Sequence, residues 1–261
     1  MLSYQHAYHA GGPADLHKHI VLAELLARMT VKARGLTVME THAGRGLYDL
    51  AAPEAARTGE AGAGIARITA AADTPFGHAL ATTRAAHGPS AYPGSPLVAR
   101  ALLRPQDRQV LMELHPGEHA ALRSAIGTDP AIAVHRRDGY EGLLALAPPK
   151  PRRGLVLVDP SYEVKTEYAA AAAFVRRLIA RWPEAAVLVW YPLLPEGRHA
   201  ALLAGLRPLG PRIDEVGFVP KPARGMTGSG LALGNGPCGG GRVFAAAQAQ
   251  AAAVLVPLRR S

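Results

Sequence analysis

The stretch Val156-Leu157-Val158-Asp159-Pro160-Ser161-Tyr162-Glu163, "VLVDPSYE", is an apolar run that ends in an acid, a proline and a tyrosine. A short continuous apolar run predicts a strand that is buried on both faces, as in the parallel sheets of α/β proteins. Ligands of such sheets bind outside the carboxyl ends of the strands. The polar corner after Val158 therefore predicts a functional site at the edge of a sheet.

Strand and helix patterns alternate along the rest of the chain. Strands are predicted at 36–40, 109–114, 131–139, 154–159, 185–192, 212–219 and 229–233. Helices are predicted at 14–34, 116–126, 140–147, 166–181 and 195–206. This alternation predicts an α/β fold with a mostly parallel, doubly wound sheet, and the last two strands predict an antiparallel edge.

Two segments depart from that rhythm. Residues 48–108 carry helical patterns at 59–72, 76–87 and 97–104, which predict an inserted helical subdomain. Residues 1–13 contain few apolar side chains, which predicts a mobile N-terminal tail. We expect residues 1–261 to form a single domain around one core, since the chain is long enough to bury one.

Composition limits the class of protein. The chain of 261 residues is 49% hydrophobic and 19% charged, which is typical of a globular protein. We expect a cytoplasmic protein because there is no apolar run of membrane-spanning length, no secretory signal pattern and only one cysteine, Cys238. The formal net charge of +9 favours a polyanionic partner. Compositional bias would explain why Arg outnumbers Lys, but not why the acidic residues fail to balance it.

Suitable polar groups follow each of the first four predicted strands of the sheet. The turn "ETHAGRG" (40–46) has small residues that let a ligand approach the backbone. Glu113 can accept both hydroxyls of a ribose, and it follows this turn by far more than the usual offset of about 20 residues; an insertion at 48–108 explains the gap. Asp138-Gly139 offers a carboxylate for an adenine amino group, although a surface turn is the alternative.

The fourth strand end suits methyl transfer to an exocyclic amine. The lone pair of such an amine is delocalised into the ring, and two hydrogen-bond acceptors would localise it. Asp159 offers a carboxylate and Pro160 a backbone carbonyl in a turn of fixed φ. Tyr162 offers a flat face for an unstacked base. Positioning and electrostatics then suffice for in-line transfer from a sulfonium methyl. The alternative is that Asp-Pro simply ends a strand.

These residues carry a resemblance. "DPSY" (159–162) resembles the D/N-P-P-Y/F motif of amino-group methyltransferases that use S-adenosyl-L-methionine. The chain as a whole resembles the RlmJ family, which methylates the N6 of one adenine in 23S ribosomal RNA. The likeness runs through "MLSYQHAYHAG", "ADLHKH", "ETHAGRGLY", "RTGE", "GIARI", "YPGSPLVAR", "ELHP", "RRGLVLVDPSYE", "LVWYP" and "RGMTGSG".

The resemblance implies a Rossmann-like class I methyltransferase fold with a small helical insertion, and it implies roles for particular residues. The positions that match the family's cofactor contacts are His19, His42, Ser95, Glu113, Asp138, Gly139 and Asp159. Asp159 also matches the catalytic acid. Tyr4 matches a tail residue that faces the RNA, and His6 and Lys18 match the same tail motif.

The chain departs from the family pattern in two places. Ser161 replaces the second proline of the strongest form of the motif, which loosens the turn and adds a backbone N–H. "GGP" at 11–13 replaces a more polar part of the tail, which leaves the path of the tail open.

Other hypotheses stay open at this point. A metal site on the histidines at 6, 9, 17 and 19 would need a zinc-like spacing that they do not have, so we expect no metal. A nicotinamide-dependent oxidoreductase would leave "DPSY" and the basic charge unexplained. A DNA adenine methyltransferase or a non-catalytic RNA-binding protein would use the same scaffold. We expect a monomer without membrane contact that binds S-adenosyl-L-methionine and acts on 23S rRNA before the large subunit is complete.

Overall fold

The computed structural model describes residues 6–258, which form a central sheet between two layers of helices. The strands are β1 Thr37–Glu40, β2 Leu47–Asp49, β3 Ala91–Pro93, β4 Arg108–Met112, β5 Ile132–His135, β6 Gly154–Val158, β7 Ala186–Leu193, β8 Arg212–Phe218, β9 Gly228–Gly234 and β10 Leu255–Pro257. The α-helices are α1 Pro13–Thr30, α2 Pro53–Thr58, α3 Glu60–Ala63, α4 Pro75–His87, α5 Ser95–Leu102, α6 Pro116–Ile126, α7 Gly139–Leu146, α8 Glu167–Arg181, α9 His199–Leu206 and α10 Gly241–Gln250.

The main sheet has the order β10-β8-β9-β7-β6-β1-β4-β5. β5, β4, β1, β6 and β7 pair in parallel, and β9 is inserted antiparallel between β7 and β8. This order confirms the predicted mostly parallel, doubly wound sheet of a Rossmann-like class I fold. The order reverses at β1, which lies between β4 and β6, so the ligand crevice is expected at the carboxyl end of β1.

Alternate residues of the buried strands pack against different helix layers. Leu155 and Leu157 of β6 join a core cluster with α1, α4, α5 and α10. Val156 and Val158 of the same strand join a second cluster with α7, α8 and α9. Because both faces of β6 are covered, its sequence is continuously apolar rather than alternating.

Local sequence signals fix the helix boundaries near the site. Proline stands in the first turn of α1 and of α6, where its missing N–H costs nothing. The His115 side chain caps α6 by accepting from Gly117 N at 3.2 Å and Glu118 N at 3.3 Å. Asp138 caps α7 by accepting from Glu141 N at 2.9 Å. The bounds of α6 and α7 therefore agree closely with prediction.

The segment 48–108 is not purely helical. α4 and α5 match the helices predicted at 76–87 and 97–104, but the pattern at 59–72 breaks into α3 and a short 3-10 helix, Ile65–Arg67. β2 and β3 pair antiparallel as a separate two-stranded sheet that was not predicted. α4 and α5 contact α1, so this part of the chain extends the helix layer on one face of the main sheet.

The described part of the N-terminal segment contacts the core. A 3-10 helix, His6–Tyr8, precedes α1, and Ala7 and Ala10 are buried in the cluster that contains α1. The mobility predicted for residues 1–13 stays a prediction. Tyr4 lies outside the described residues.

Candidate active site

Two cavities meet at the carboxyl edge of the parallel strands. The larger has a volume of about 310 Å³ and follows the ends of β1, β4, β5 and β6. The smaller has a volume of about 190 Å³ and lies beside the ends of β6 and β7. His6, Lys18, Asp159 and Ser161 line both. We call the larger the donor cavity and the smaller the acceptor cavity.

The donor cavity contains every residue that the resemblance assigned to the cofactor. Its lining includes His19, His42, Ser95, Glu113, Asp138, Gly139 and Asp159. These residues are distant in sequence, and the parallel sheet brings them together because the strand ends share one edge. Their contact with a cofactor stays a prediction that this geometry supports.

Glu113 and the glycine turn after β1 are bonded to each other. The Glu113 carboxylate accepts hydrogen bonds from Gly44 N at 2.9 Å and from His115 N at 2.8 Å. Burial raises the pKa of Glu113, and the two backbone donors partly oppose that rise. Gly44 has a φ of +62°, and a side chain there would meet the Tyr48 hydroxyl. The turn therefore requires glycine where the wall of the donor cavity is formed.

The start of α7 lies against the end of β1. A side chain at Gly139 would overlap the carbonyl of Thr41, so only glycine allows this approach. The Tyr140 ring contacts His42, with centroids 5.4 Å apart, and its hydroxyl is buried without a hydrogen-bond partner among residues 6–258. Buried hydroxyls are normally paired, so this one fits a cavity that receives a polar ligand. Burial lowers the pKa of His42 to about 4, which keeps the imidazole neutral.

Glu40, the last residue of β1, is a buried acid that sequence reasoning did not assign to the site. Ser95 Oγ donates to one of its carboxylate oxygens at 2.6 Å, and Gln109 Nε2 donates to the other at 3.2 Å. Burial raises the pKa of Glu40 to about 7. The signal in the sequence is an acid that ends an otherwise apolar strand, directly before the glycine turn.

A buried ion cluster joins α1 to the corner after β6. Lys18 Nζ lies 2.6 Å from Asp159 Oδ2 and 3.1 Å from Asp15 Oδ1. Burial alone would lower the pKa of Lys18, but the two carboxylates outweigh it, so the pKa is raised and Lys18 is charged. Burial likewise opposes the charge of Asp15, yet His6 and Lys18 hold its pKa well below the usual value.

Asp15 connects this cluster to the N-terminal segment. Its carboxylate lies 3.0 Å from His6 Nε2 and accepts from Gly11 N at 3.1 Å. His19, one turn along α1, pairs with the Tyr92 hydroxyl at 3.0 Å, and burial lowers the pKa of His19 to about 3. The motif "ADLHKH" contains Asp15, but sequence reasoning gave it no role.

The acceptor cavity is lined by Pro160 and Tyr162 of the corner, by Trp190 and by Met226. Tyr162 has a φ of +55°, and its hydroxyl donates to the Trp190 carbonyl at 2.8 Å. The Tyr162 ring packs against Tyr168 with centroids 4.4 Å apart, and Tyr162 as a residue is only 4% exposed. The corner is therefore held rigidly, and little of the Tyr162 face is open.

Residues 6–258 contain neither a candidate membrane span nor a candidate metal cluster. No helix in this range combines the length and the apolarity that crossing a membrane requires. No group of three or more His, Cys, Asp or Glu side chains in this range is arranged to hold a metal ion.

The strand order, with the cavity at the β1 switch point, is that of the Rossmann-like class I methyltransferase fold. The chain belongs to the family described as "Ribosomal RNA large subunit methyltransferase D, RlmJ", whose model matches residues 33–249. This confirms the resemblance in the sequence.

Curated relatives and a solved structure agree with this assignment. The chain is 36% identical over 247 residues to "Ribosomal RNA large subunit methyltransferase J" of Haemophilus influenzae, covering 91% of this chain and 88% of that protein. It is 37% identical over 246 residues to the protein of the same name from Escherichia coli, with the same shares covered. The crystal structure of a protein from Legionella pneumophila superposes with a TM-score of 0.81 at 31% identity, over 97% of this chain and 98% of that one.

Proposed function

We propose that this protein transfers a methyl group from S-adenosyl-L-methionine to the exocyclic N6 of a specific adenine in 23S rRNA. The observation that carries the proposal is that the donor and acceptor cavities meet at Asp159, in the corner Asp159-Pro160-Ser161-Tyr162. The names of the curated relatives support the choice of ribosomal RNA of the large subunit as substrate.

The residues of the donor cavity fit the cofactor. Glu113 would accept the ribose hydroxyls, Asp138 the adenine amino group, and the unpaired Tyr140 hydroxyl would gain a polar partner. His42 is neutral and lies beside Tyr140, so it adds an uncharged polar wall. When bound, S-adenosyl-L-methionine supplies an electrophilic methyl group on a sulfonium.

Asp159 would activate the acceptor amine. Its Oδ2 is bound by Lys18, while its Oδ1 has no hydrogen-bond partner among residues 6–258 and can accept from the amine. The Pro160 carbonyl would be the second acceptor. Both interactions strengthen as the nitrogen becomes tetrahedral and positively charged, which is the condition for lowering the barrier. Lys18 would hold the carboxylate in place and shield it from water.

The N-terminal segment would contact the RNA near the acceptor cavity. His6 lies in the lining of both cavities and pairs with buried Asp15, so this segment is anchored at the point where substrate enters. Tyr4 and His6 are the residues we assign to the RNA, together with Lys18. The net charge of +9 supports attraction of the phosphate backbone.

A labelled-methyl assay tests this function. Total rRNA, tRNA, duplex DNA, free 23S rRNA and assembled large subunits would be offered with labelled S-adenosyl-L-methionine, and the product digested to nucleosides. We expect label in N6-methyladenosine from free 23S rRNA and from total rRNA, which contains it, but not from tRNA, duplex DNA or assembled large subunits, and no label with Asp159→Ala. Label chiefly in DNA or tRNA, or in a different nucleoside, would contradict the proposal. Absence of transfer to every substrate would favour the non-catalytic alternative.

A further inference from the structure

A buried chain of hydrogen bonds leads from β8 across the sheet to the acceptor cavity. Trp190 Nε1 donates to Ser229 Oγ at 2.9 Å, Ser229 Oγ lies 2.9 Å from His17 Nδ1, and His17 Nε2 lies 3.0 Å from Asp214 Oδ2. Ser229 and the His17 side chain are fully buried. None of these four residues has a role in the mechanism above.

The two ends of this hydrogen-bond chain have fixed directions. Trp190 Nε1 can only donate, so Ser229 Oγ accepts there, and the Asp214 carboxylate can only accept, so His17 Nε2 donates to it. The Ser229 hydroxyl and His17 Nδ1 pair with each other between these ends, and the other Asp214 oxygen accepts from Gln248 at 2.7 Å. The hydrogen-bond chain therefore holds the indole in one orientation.

The geometry does not suit nucleophilic catalysis by Ser229. In a hydrolytic triad the serine hydroxyl is open to substrate, whereas Ser229 is 0% exposed and accepts from an indole. The end of the chain that reaches a cavity is Trp190, which is only half-buried and lines the acceptor cavity. The hydrogen-bond chain therefore fixes the position of the indole.

The indole is also held from the catalytic side. Lys18 Nζ lies 5.7 Å from the centroid of the Trp190 ring, within range of a cation–π contact. The Tyr162 ring lies 6.0 Å from it, and the Tyr162 hydroxyl bonds the Trp190 carbonyl. Trp190 therefore connects the catalytic corner, the Lys18 ammonium and the buried hydrogen-bond chain, and it is more exposed than Tyr162, the other aromatic residue of the corner that lines the acceptor cavity.

We propose that Trp190 is the aromatic surface on which the target adenine rests, and that Ser229, His17 and Asp214 are positioning residues for its indole. The inference rests on the proposed function, since it names the substrate contact of the same site. A flat aromatic ring binds an unstacked base through stacking, and a ring already held by hydrogen bonds loses little freedom on binding. Tyr162 then orients the corner, while Trp190 provides the contact area.

Tryptophan fluorescence tests the contact between Trp190 and the adenine directly, because the protein has only two tryptophans. With the donor cavity saturated by S-adenosylhomocysteine, a short oligoadenylate would be titrated at low salt, with an oligouridylate of equal length beside it. We expect the oligoadenylate to quench the emission more strongly, and Trp190→Phe to abolish that quenching. Trp182→Phe is the matched control, since Trp182 is fully buried and bonds the Arg152 carbonyl, and it should leave the quenching intact.

Kinetics on 23S rRNA test the consequence. We expect Trp190→Leu to lower kcat/KM for the RNA by about 5- to 150-fold, the equivalent of losing one stacked base, while the affinity for S-adenosylhomocysteine is unchanged. Trp190→Phe keeps a ring and should lose less. Ser229→Ala keeps the indole but frees it, so we expect a loss smaller than that of Trp190→Leu, with a shifted Trp190 emission.

Two outcomes would overturn the inference: quenching that survives in Trp190→Phe, or a folded Trp190→Leu enzyme that methylates 23S rRNA with wild-type kcat and KM. If Trp190→Leu fails to fold, the fluorescence of Trp190→Phe still decides. Failure of the proposed function looks different, because the wild-type enzyme itself would then not methylate 23S rRNA.

Discussion

The two ends of α1 are each fixed by an acid–base pair, yet only one end lies in the candidate site. At the N-terminal end, Lys18 is bound between Asp15 and Asp159. At the C-terminal end, Arg104 pairs with Asp107 at 2.9 Å. Both pairs join the helix layer to loops at the edge of the sheet, so their chemistry is similar.

The difference lies in what surrounds them. Arg104 donates to the carbonyls of Thr30, Lys32 and Arg34 at 2.6 to 3.0 Å, which are the groups left unpaired at and beyond a helix end. The Arg104 guanidinium thus donates all of these hydrogen bonds to fixed groups of the protein. The pair of Lys18 and Asp159 lines two cavities instead, and one carboxylate oxygen is open. An ion pair thus contributes to the stability of the fold when all of its polar atoms are bonded within the protein. It can contribute to catalysis when one carboxylate oxygen faces a cavity and is left for the substrate.

The largest expected effect is on methyl transfer at the site end. Asp159→Ala removes the acceptor that strengthens as the amine becomes cationic, so we expect the single-turnover rate to fall by about a thousandfold or more. The affinity for S-adenosylmethionine, measured by calorimetry, should change only modestly. Transfer at near the wild-type rate would contradict the mechanism argued for the corner.

Glu113→Ala should have the opposite effect to Asp159→Ala, with a change in cofactor affinity rather than in the rate of methyl transfer. The ribose contacts are made equally in the ground state and the transition state, so their loss should weaken cofactor binding by about 1–3 kcal/mol. The single-turnover rate at saturating cofactor should stay close to that of the wild type. Glu113→Gln is the matched variant that keeps the size of the side chain. Unchanged cofactor affinity in both variants would remove Glu113 from the cofactor site.

At the other end of α1, we expect a loss of stability without a loss of chemistry. Asp107 accepts from Leu36 N at 2.8 Å as well as from Arg104, so Asp107→Ala leaves several donors unpaired. The melting temperature should fall by about 5–10 °C, while the rate per folded molecule is unchanged. Arg152→Ala breaks an exposed pair with Glu184 and should have almost no effect. A large rate loss in Asp107→Ala would mean that the two ends are coupled.

The smallest expected effect concerns pH. The pKa of Glu40 is about 7 in the folded protein, above its ordinary value, because burial disfavours the charge. The folded state therefore binds the proton more tightly, and stability falls as the pH rises from about 5 to about 8. Glu40→Gln cannot ionise, so its melting temperature should fall less than that of the wild type over this range. Parallel melting curves for the two proteins would contradict the assignment.

Asp107 should respond to pH with the opposite sign. Burial would raise its pKa, but the hydrogen bonds from Arg104 and from the backbone lower it overall. Its contribution to stability is therefore present at neutral pH and is lost as the pH falls through the acidic range. In a profile of stability against pH, the loss of stability at acidic pH thus includes the contribution of Asp107 at this end of α1. The loss of stability as the pH rises through neutral includes that of Glu40.

The sequence determined the order of the elements and the chemistry at the strand ends. Apolar runs such as 154–158 report burial on both faces, and proline and capping residues mark where α6 and α7 begin. Glu113, Asp138 and Asp159 each lie at the end of a predicted strand, so their convergence at one edge could be predicted once a parallel sheet was inferred.

Only the tertiary structure decided the contacts between segments that are distant along the chain. β2 and β3 are three residues each and about forty residues apart, which is too short for any periodicity to reveal their pairing. The roles of Asp15 and Glu40 depend on partners that lie elsewhere along the chain. The role of Trp190 depends on its hydrogen bond to Ser229 and, through it, on His17. Local patterns report which side of an element is buried, whereas the crossovers of the sheet determine which buried groups meet, and that information is not local.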